Sequence, residues 1–99
     1  MDYLCETLAH DKLILVNFFK EGSKESKKVD KILNAIRKEL GFKIMIIKVD
    51  AISHKFLADK YKVQHTSTLA LYRYSKQLWK HSGALIKKDK LLSAINSIL

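Results

Sequence analysis

Two apolar runs separated by one amphipathic segment constrain the fold of this chain more than any other feature. Residues 13–19 and 42–50 are mainly apolar, which is typical of strands that are buried on both faces. Between them, residues 23–40 repeat apolar side chains at helical spacing, which predicts a helix with one buried stripe. That stripe consists of Val29, Ile32, Leu33, Ile36 and Leu40. Two strands joined by a helix predict a parallel pair with a right-handed crossover.

The segments around this unit extend the α/β pattern and close it with a hairpin. Helices are predicted at 4–10, 53–61 and 87–99, and strands at 68–74 and 77–81 with a tight link at Ser75-Lys76. In the helix at 53–61 we expect Phe56 and Leu57 to face inward. The last helix carries an apolar stripe made of Leu91, Leu92, Ile95, Ile98 and Leu99. The hairpin therefore adds antiparallel strands to one side of the parallel pair.

Length and composition predict one domain over residues 1–99. A chain of 99 residues with 47% hydrophobic residues suits a single modest core. No apolar stretch approaches the roughly 20 residues that a membrane helix needs, and the N-terminus does not have the pattern of a signal peptide. The one cysteine, Cys5, makes no internal disulfide, which fits a reducing cytoplasm. We therefore expect a cytoplasmic protein with no membrane partner.

The basic charge indicates an acidic partner of some kind without specifying one. The formal net charge is +9, but Arg37 and Arg73 are the only arginines among 19 basic residues. Arginine is the residue suited to bidentate phosphate and base contacts, whereas lysines spread along helix faces usually serve solvation. The pattern disfavours a dedicated nucleic-acid role and leaves binding of a polyanion as an alternative.

Five short motifs follow one another along the chain. They are Leu15-Val16-Asn17-Phe18-Phe19, Lys48-Val49-Asp50, Leu57-Ala58-Asp59-Lys60-Tyr61-Lys62-Val63, Thr68-Leu69-Ala70-Leu71-Tyr72 and Gly83-Ala84-Leu85. In this order and spacing they resemble the thioredoxin family over most of the chain. The resemblance implies a thioredoxin-like α/β fold with a four-stranded mixed sheet flanked by helices, two strands parallel and the C-terminal hairpin antiparallel.

The resemblance also makes a prediction about one edge of the sheet. The N-terminal strand of the family is expected to be absent, because the chain starts in the first helix. The strand from Phe42 to Val49 then becomes a sheet edge. A long apolar edge either needs covering or invites pairing, so a homodimer through this edge is one prediction and shielding by the N-terminal segment is the other.

The departures from the family pattern fall on its redox chemistry. Ser23 and Ser26 stand where the family has the two cysteines of its dithiol, and Gly22 replaces a tryptophan. Asn17 replaces the buried aspartate that assists proton transfer, and Ser67 replaces the cis-proline that faces the dithiol. A cis bond before a residue other than proline costs about 2.5–4 kcal/mol, so we expect a trans bond before Ser67. These joint losses predict a protein that is not an enzyme and needs no cofactor.

The function implied by the resemblance is binding at the site where the dithiol would be. In the family, substrate peptides lie in a groove whose positions correspond here to Gly22, Ser23, Lys24, His65, Thr66, Ser67 and Gly83. We therefore predict a redox-inactive module that binds or scaffolds an unidentified protein or peptide, with strand addition at Thr66. Two alternatives stay open: a residual thiol–disulfide role by family descent, and a polyanion-binding basic domain.

Several of these residues have a simpler structural interpretation. Ser23 is most simply the N-cap of the helix, and its functional rival is an anion site made from the exposed amides with Lys24 and Lys27 nearby. Cys5 is expected to be a small buried hydrophobe. A serine nucleophile would need His65 as base, and no orienting acid is evident. The histidines are not at ligand spacing, so no metal site is predicted.

Overall fold

The chain forms a four-stranded mixed sheet with helices on both faces in this computed structural model, which describes residues 3–20, 22–63, 67–83 and 86–99. The elements are α1 (Tyr3–Leu8), β1 (Leu13–Phe19), α2 (Lys24–Leu40), β2 (Ile44–Asp50), α3 (Lys55–Lys60), β3 (Thr68–Arg73), β4 (Lys76–Ser82) and α4 (Lys88–Ile98). This order is the predicted alternation of helices and strands, and the bounds of β1 agree with the prediction residue for residue.

The sheet has the strand order β2-β1-β3-β4. Strand β1 pairs with β2 in parallel, with Leu13 opposite Ile44, and with β3 antiparallel, with Phe18 opposite Thr68. Strands β3 and β4 complete the sheet as an antiparallel pair with a register shift at Leu71. The predicted parallel pair and closing hairpin are both confirmed, and the predicted edge position of β2 holds in the described sheet.

Alternation along β1 divides the core into two layers. One layer packs Ile14, Val16 and Phe18 against α1 and α3, and the other packs Leu13 and Leu15 against α2 and α4. The buried residues of α2 are Val29, Leu33 and Ile36, and those of α4 are Leu91 and Ile95. Side chains two apart on a strand face the same way, so Asn17 belongs to the layer under α2.

Four sequence-based expectations about burial are wrong. Cys5 is exposed, because Leu4 and Leu8, one helical turn apart, occupy the buried face of α1. Phe56 is 58% exposed, because Leu57 and Ala58 fill the buried face of the short helix α3. Leu99 is 45% exposed beyond the end of α4.

The fourth correction concerns the start of β2. Residues Gly41–Lys43 form a 3-10 turn, so the strand begins at Ile44 rather than at Phe42. Gly41 has a φ of 57°, a backbone conformation that favours glycine and that turns the chain out of α2. Phe42 is 87% exposed on this turn, and Met45 is 37% exposed on the strand. The edge of the sheet therefore runs from Ile44 to Asp50.

The β3–β4 turn is centred one residue earlier than predicted and ties the hairpin to α1. Tyr74 and Ser75 have φ values of 52° and 66°, as a type I′ hairpin turn requires. Their N–H groups donate to the carbonyls of His10 (3.0 Å) and Leu8 (2.7 Å). Within the described ranges, no helix has the length and apolar character needed to span a bilayer.

Candidate functional site

The junction between β1 and α2 is shaped by Gly22 and Ser23. Gly22 has a φ of 82°, which glycine adopts without strain. Ser23 is extended, with φ −78° and ψ 152°, and its Oγ accepts a hydrogen bond from the N–H of Ser26 at 3.0 Å. This is the N-cap that the sequence predicts, and it uses one of the four N–H groups that a helix start leaves without an intrahelical acceptor.

A small cavity lies between this helix start and the end of β1. Its volume is about 30 Å³, enough for roughly two water-sized groups. The described residues that line it are Asn17, Phe19, Lys20, Ser23, Glu25, Ser26, Val29 and Ser67. The cavity thus collects four of the positions at which the sequence departs from the family's redox pattern, namely Asn17, Ser23, Ser26 and Ser67, whereas Gly22 is not a lining residue.

Asn17 is the chemically unusual side chain of the cavity. It is only 2% exposed, and its Nδ2 has no hydrogen-bond acceptor among the described residues. A buried donor that is left unpaired costs about 1–3 kcal/mol. Because the neighbouring residues on this face of β1 are apolar, the amide stands out as a group that packing alone does not explain.

Lys48 lies next to Asn17 in the sheet but forms its ion pair with α2. The two residues are opposite each other in the β1–β2 register. The Lys48 Nζ instead lies 2.9 Å from Asp30 Oδ1 on α2 and 4.6 Å from the centre of the Phe19 ring. Both partners of the ion pair are about two-fifths exposed, so it adds little stability. Its consequence here is that the Lys48 charge is partly neutralised by Asp30.

Charges of both signs surround the cavity. Lys20 and Glu25 line it, and both are exposed. Lys24 and Lys27 are exposed on the first turns of α2, where the helix dipole adds partial positive charge. At the end of β2, Asp50 Oδ1 accepts the N–H groups of Ile52 (2.9 Å) and Ser53 (3.2 Å).

These two hydrogen bonds have an electrostatic consequence at Asp50. The N–H groups of Ser53 and Ile52 hold the pKa of the Asp50 carboxyl below its ordinary value of 3.8. They stabilise the charged form of the carboxylate, which therefore binds the backbone of the loop that follows β2.

The predicted groove positions divide into three groups. Ser23 and Ser67 line the cavity, and the N–H of Gly83 donates to the carbonyl of Ser67 at 3.1 Å, so the last loop joins the site at its rim. Gly22 and Lys24 flank Ser23 on the helix start but do not line the cavity. The predictions for His65, for Thr66 and for the bond between Thr66 and Ser67 lie outside the described residues.

Four lining residues were missed by the sequence reasoning, although simple spacing would have found them. Phe19 is two residues after Asn17 on the same strand face, and Lys20 follows it. Glu25 and Val29 lie four apart on α2, so they share one side of the helix start. Their types make the cavity wall partly apolar and partly charged.

None of the described residues that line the cavity is a histidine or a cysteine. Ser23 Oγ already accepts the capping N–H, and Cys5 is not a lining residue. In the part of the chain that the structure describes, no three acidic, histidine or cysteine side chains lie close enough to hold a metal ion. Besides Lys20 and Glu25, the cavity has four uncharged polar residues in its lining beside the start of α2: Asn17, Ser23, Ser26 and Ser67.

Comparisons with known proteins agree with the fold. A family model described as Thioredoxin matches residues 2–97. The chain is 33% identical over 84 residues to a thioredoxin of Chlamydia trachomatis serovar D, covering 85% of this chain and 80% of that protein. It is 26% identical over 89 residues to the chloroplastic thioredoxin Y of Oryza sativa subsp. japonica, covering 90% of this chain and 52% of the relative. The match to thioredoxin Y1 of Arabidopsis thaliana covers 46% of that relative, so the chain spans about half the length of these two plant proteins.

Solved structures are similar over nearly the whole chain. The germline-specific thioredoxin Deadhead of Drosophila melanogaster superposes with a TM-score of 0.82 at 22% identity, covering 98% of this chain and 90% of that one. A point mutant of a thioredoxin from Halobacterium salinarum gives a TM-score of 0.85 at 20% identity, covering 98% and 83%. At these identities the likeness shows the fold, and the chemistry has to be argued from the residues of the site.

Proposed function

This chain belongs to the thioredoxin family, and we propose that within it the protein is a redox-inactive module that binds a protein or peptide at the position of the lost dithiol. The chain has a single cysteine, so it has no Cys-x-x-Cys dithiol. The site of that dithiol nevertheless persists as a shaped cavity at the start of α2. A binding role is the use of this site that does not require electron transfer.

The observation that carries the proposal is the clustering of the four altered positions around one cavity. Asn17, Ser23, Ser26 and Ser67 come from β1, α2 and the start of β3, yet they line the same 30 Å³ space. Gly83 borders it through its hydrogen bond to Ser67. Packing alone would favour apolar side chains here, whereas the Asn17 amide is buried with no acceptor for its Nδ2 among the described residues.

The proposed docking surface is the cavity together with Lys24, Ser67 and Gly83. Lys24 is exposed and Ser67 is half-buried, so a peptide lying across the helix start would contact both. In this proposal Thr66 adds backbone hydrogen bonds to an extended peptide, as in strand addition. The lysines on α2 and the net charge of +9 favour a partner with acidic character.

A peptide selection with matched charge reversals tests this proposal. Peptides selected from a random display library are titrated against the native protein, Lys24→Glu and Lys38→Glu. Both lysines are exposed on α2, one in its first turn and one in its last. We expect Lys24→Glu to weaken binding by about tenfold and Lys38→Glu to change it little, because rim charges act locally. Equal effects of the two variants, or no selected peptides, would reject the groove.

The alternative role in thiol chemistry follows from the family and not from the cavity. Cys5 is exposed on α1, so its thiolate could attack a disulfide, forming a mixed disulfide and releasing one thiol. With one cysteine the chain has no second thiol to resolve that intermediate. An insulin-reduction assay with Cys5→Ser as the control tests the alternative, which predicts turnover that depends on Cys5.

The polyanion alternative makes a different prediction, on salt. Binding driven by the lysines alone would weaken linearly in log affinity against log salt and would be indifferent to the cavity residues. Peptide binding at the cavity would depend less on salt and would respond to Ser67 and Lys24.

We also propose a cytoplasmic location for the protein.

A homodimer that forms through strand β2 is a further part of the proposal. The edge strand Ile44–Asp50 has an exposed Met45, and edge strands of this kind pair readily. Light scattering of the native protein and of Met45→Lys checks the dimer. We expect a loss of dimer mass in the variant, since a lysine on an edge strand opposes pairing.

A further inference from the structure

We infer that the cavity at the start of α2 binds one carboxylate group, contributed by an acidic side chain of the partner peptide. The inference rests on the proposed function, because it names the chemical group that this docking site recognises. It is carried by the side chain of Asn17, by the helix start, by the size of the cavity and by the surrounding charge.

The Asn17 amide is the first and strongest of these observations. The side chain lines the cavity, is only 2% exposed and has an Nδ2 with no acceptor among the described residues. A buried N–H group needs an acceptor, and a carboxylate oxygen is the strongest acceptor that a peptide offers. Because the amide is uncharged, it donates to an anion without repelling it, and this hydrogen bond offsets part of the cost of taking the carboxylate out of water.

The start of α2 supplies the second observation. This helix is 17 residues long, and Ser23 Oγ caps the N–H of Ser26. The N–H groups of Lys24 and Glu25 precede it and have no intrahelical acceptor by the geometry of a helix start. Together with the helix dipole, they favour a negative group beside the cavity.

The size of the cavity selects the kind of anion. About 30 Å³ corresponds to roughly two water-sized groups, which is the space that two carboxylate oxygens occupy. A phosphate group carries more oxygens than a carboxylate, so a smaller share of them fits within this space. The cavity therefore suits a carboxylate better than a phosphate.

Charge around the cavity supports an anion, with one opposing group. Lys20 lines the cavity, and Lys24 and Lys27 are exposed on the first turns of α2. Glu25 also lines it and repels a carboxylate. The chain as a whole is basic, so the wider field attracts acidic peptides. Because the Glu25 carboxylate opposes the bound anion, removing its charge provides a second, independent test of the site.

The experiment is a titration of ¹⁵N-labelled protein with sodium acetate, followed by NMR, with acetamide as the uncharged comparison. We expect acetate to shift the side-chain amide of Asn17 and the N–H signals of Lys24 and Glu25 at millimolar concentration, and acetamide to shift them far less. No shift at Asn17, or equal shifts with acetamide, would overturn the inference. Tighter binding of inorganic phosphate at the same signals would overturn its choice of carboxylate.

Two pairs of variants separate a specific site from general charge. Asn17→Asp places a carboxyl at the cavity, and Asn34→Asp places one on the exposed middle of α2. Burial raises the pKa of a carboxyl, so both variants are titrated at alkaline pH, where the two carboxyls carry the same negative charge. We expect Asn17→Asp to weaken acetate binding at least about tenfold and Asn34→Asp to change it little, since like charges within contact repel strongly. Should Asn17→Asp fail to fold, Glu25→Gln decides: we expect severalfold tighter acetate binding there and no change in Glu39→Gln at the far end of the helix.

The same variants distinguish this inference from the proposed function. The display-selected peptides are resynthesised with each Asp or Glu replaced by its amide. Peptides that still bind through Lys24 after this replacement, with acetate failing to bind, would refute the carboxylate site and leave the docking function intact. Acetate binding that Asn17→Asp abolishes, without any peptide binding, would leave the carboxylate site intact and refute the docking function.

Discussion

The hairpin end of the sheet and the end that carries the cavity are closed in different ways. At the hairpin end, the N–H groups of Tyr74 and Ser75 donate to carbonyls of His10 and Leu8, and the Tyr72 hydroxyl donates to Gln77 Oε1 at 3.3 Å. At the other end, the Asn17 Nδ2 is buried without an acceptor among the described residues. At the hairpin end the chain pairs these groups itself, whereas at the cavity end the Asn17 donor has no such partner.

The two ends also differ in how deeply their unpaired side-chain nitrogens are buried. Three described residues have a buried side-chain nitrogen without a partner: Asn17, His54 and Arg73. His54 and Arg73 are only half-buried, and Arg73 pairs another of its donors with the Ile98 carbonyl at 3.3 Å. Asn17 is buried in full. The difference is that the hairpin end is closed by hydrogen bonds within the chain, whereas the cavity end keeps a fully buried amide whose Nδ2 has no acceptor among the described residues.

The largest effect is expected at the hairpin end. Leu8 is 2% exposed and packs in the layer with α3 and β1. Leu8→Ala should lower the free energy of unfolding by about 2–5 kcal/mol, because it removes buried methyl groups and leaves a cavity. Urea denaturation measures the change, and Leu99→Ala, at an exposed position, is the matched control. A small effect of Leu8→Ala would show that the hairpin end contributes less to stability than its contacts indicate.

At the cavity end, the corresponding core substitution should have the opposite sign. Asn17→Leu replaces an unpaired buried amide by an apolar side chain of similar size. We expect the free energy of unfolding to rise by about 1–3 kcal/mol, which is the cost of the unsatisfied donor. The measurement is again urea denaturation, in buffer without carboxylates. A loss of stability would mean that the amide is paired in the native protein, and the contrast between the two ends would then fail.

The same contrast explains how much the sequence could predict. Apolar periodicity located the eight helices and strands, and it did so best at β1 and α2, where the apolar residues form continuous buried stripes. The errors fell at short elements: Phe56 and Cys5 lie on helices of six residues, where periodicity cannot tell which side is buried. The start of β2 was missed because the positive φ of Gly41 allows a turn that composition does not reveal.

The candidate site was predictable in its positions but not in its geometry. The residues Asn17, Ser23, Ser26 and Ser67 stood out by resemblance, and Ser23 stood out as a cap by its chemistry. That the Asn17 amide is unpaired, and that Lys48 turns to Asp30 instead, depends on side-chain directions in three dimensions. Sequence spacing carries no information about either.

A smaller effect is expected from the cap at the helix start. Ser23→Ala removes the hydrogen bond to the Ser26 N–H and should lower the free energy of unfolding by about 1 kcal/mol. Ser97→Ala is the control: it is exposed near the end of α4 and should change stability by less than about 0.5 kcal/mol. Thermal unfolding compares the two. Equal changes would show that the capping hydrogen bond of Ser23 adds no measurable stability.

The smallest effect concerns the charged group that is satisfied at the cavity end. The N–H groups of Ser53 and Ile52 lower the pKa of Asp50 from its ordinary 3.8, so the folded state favours the carboxylate. This contribution to stability is fully present above that ordinary value and is lost as the pH falls through the lowered pKa. We therefore expect the stability advantage of the native protein over Asp50→Asn to shrink with acidification, as measured by urea midpoints. Asp59→Asn, which removes the same charge from an exposed position on α3, should show less of this trend.

If both variants follow the same pH course, Asp50 is not held by its loop. The cavity end would then contain two weakly paired polar groups, and Asn17 would lose its standing as the exception on which the binding site is argued.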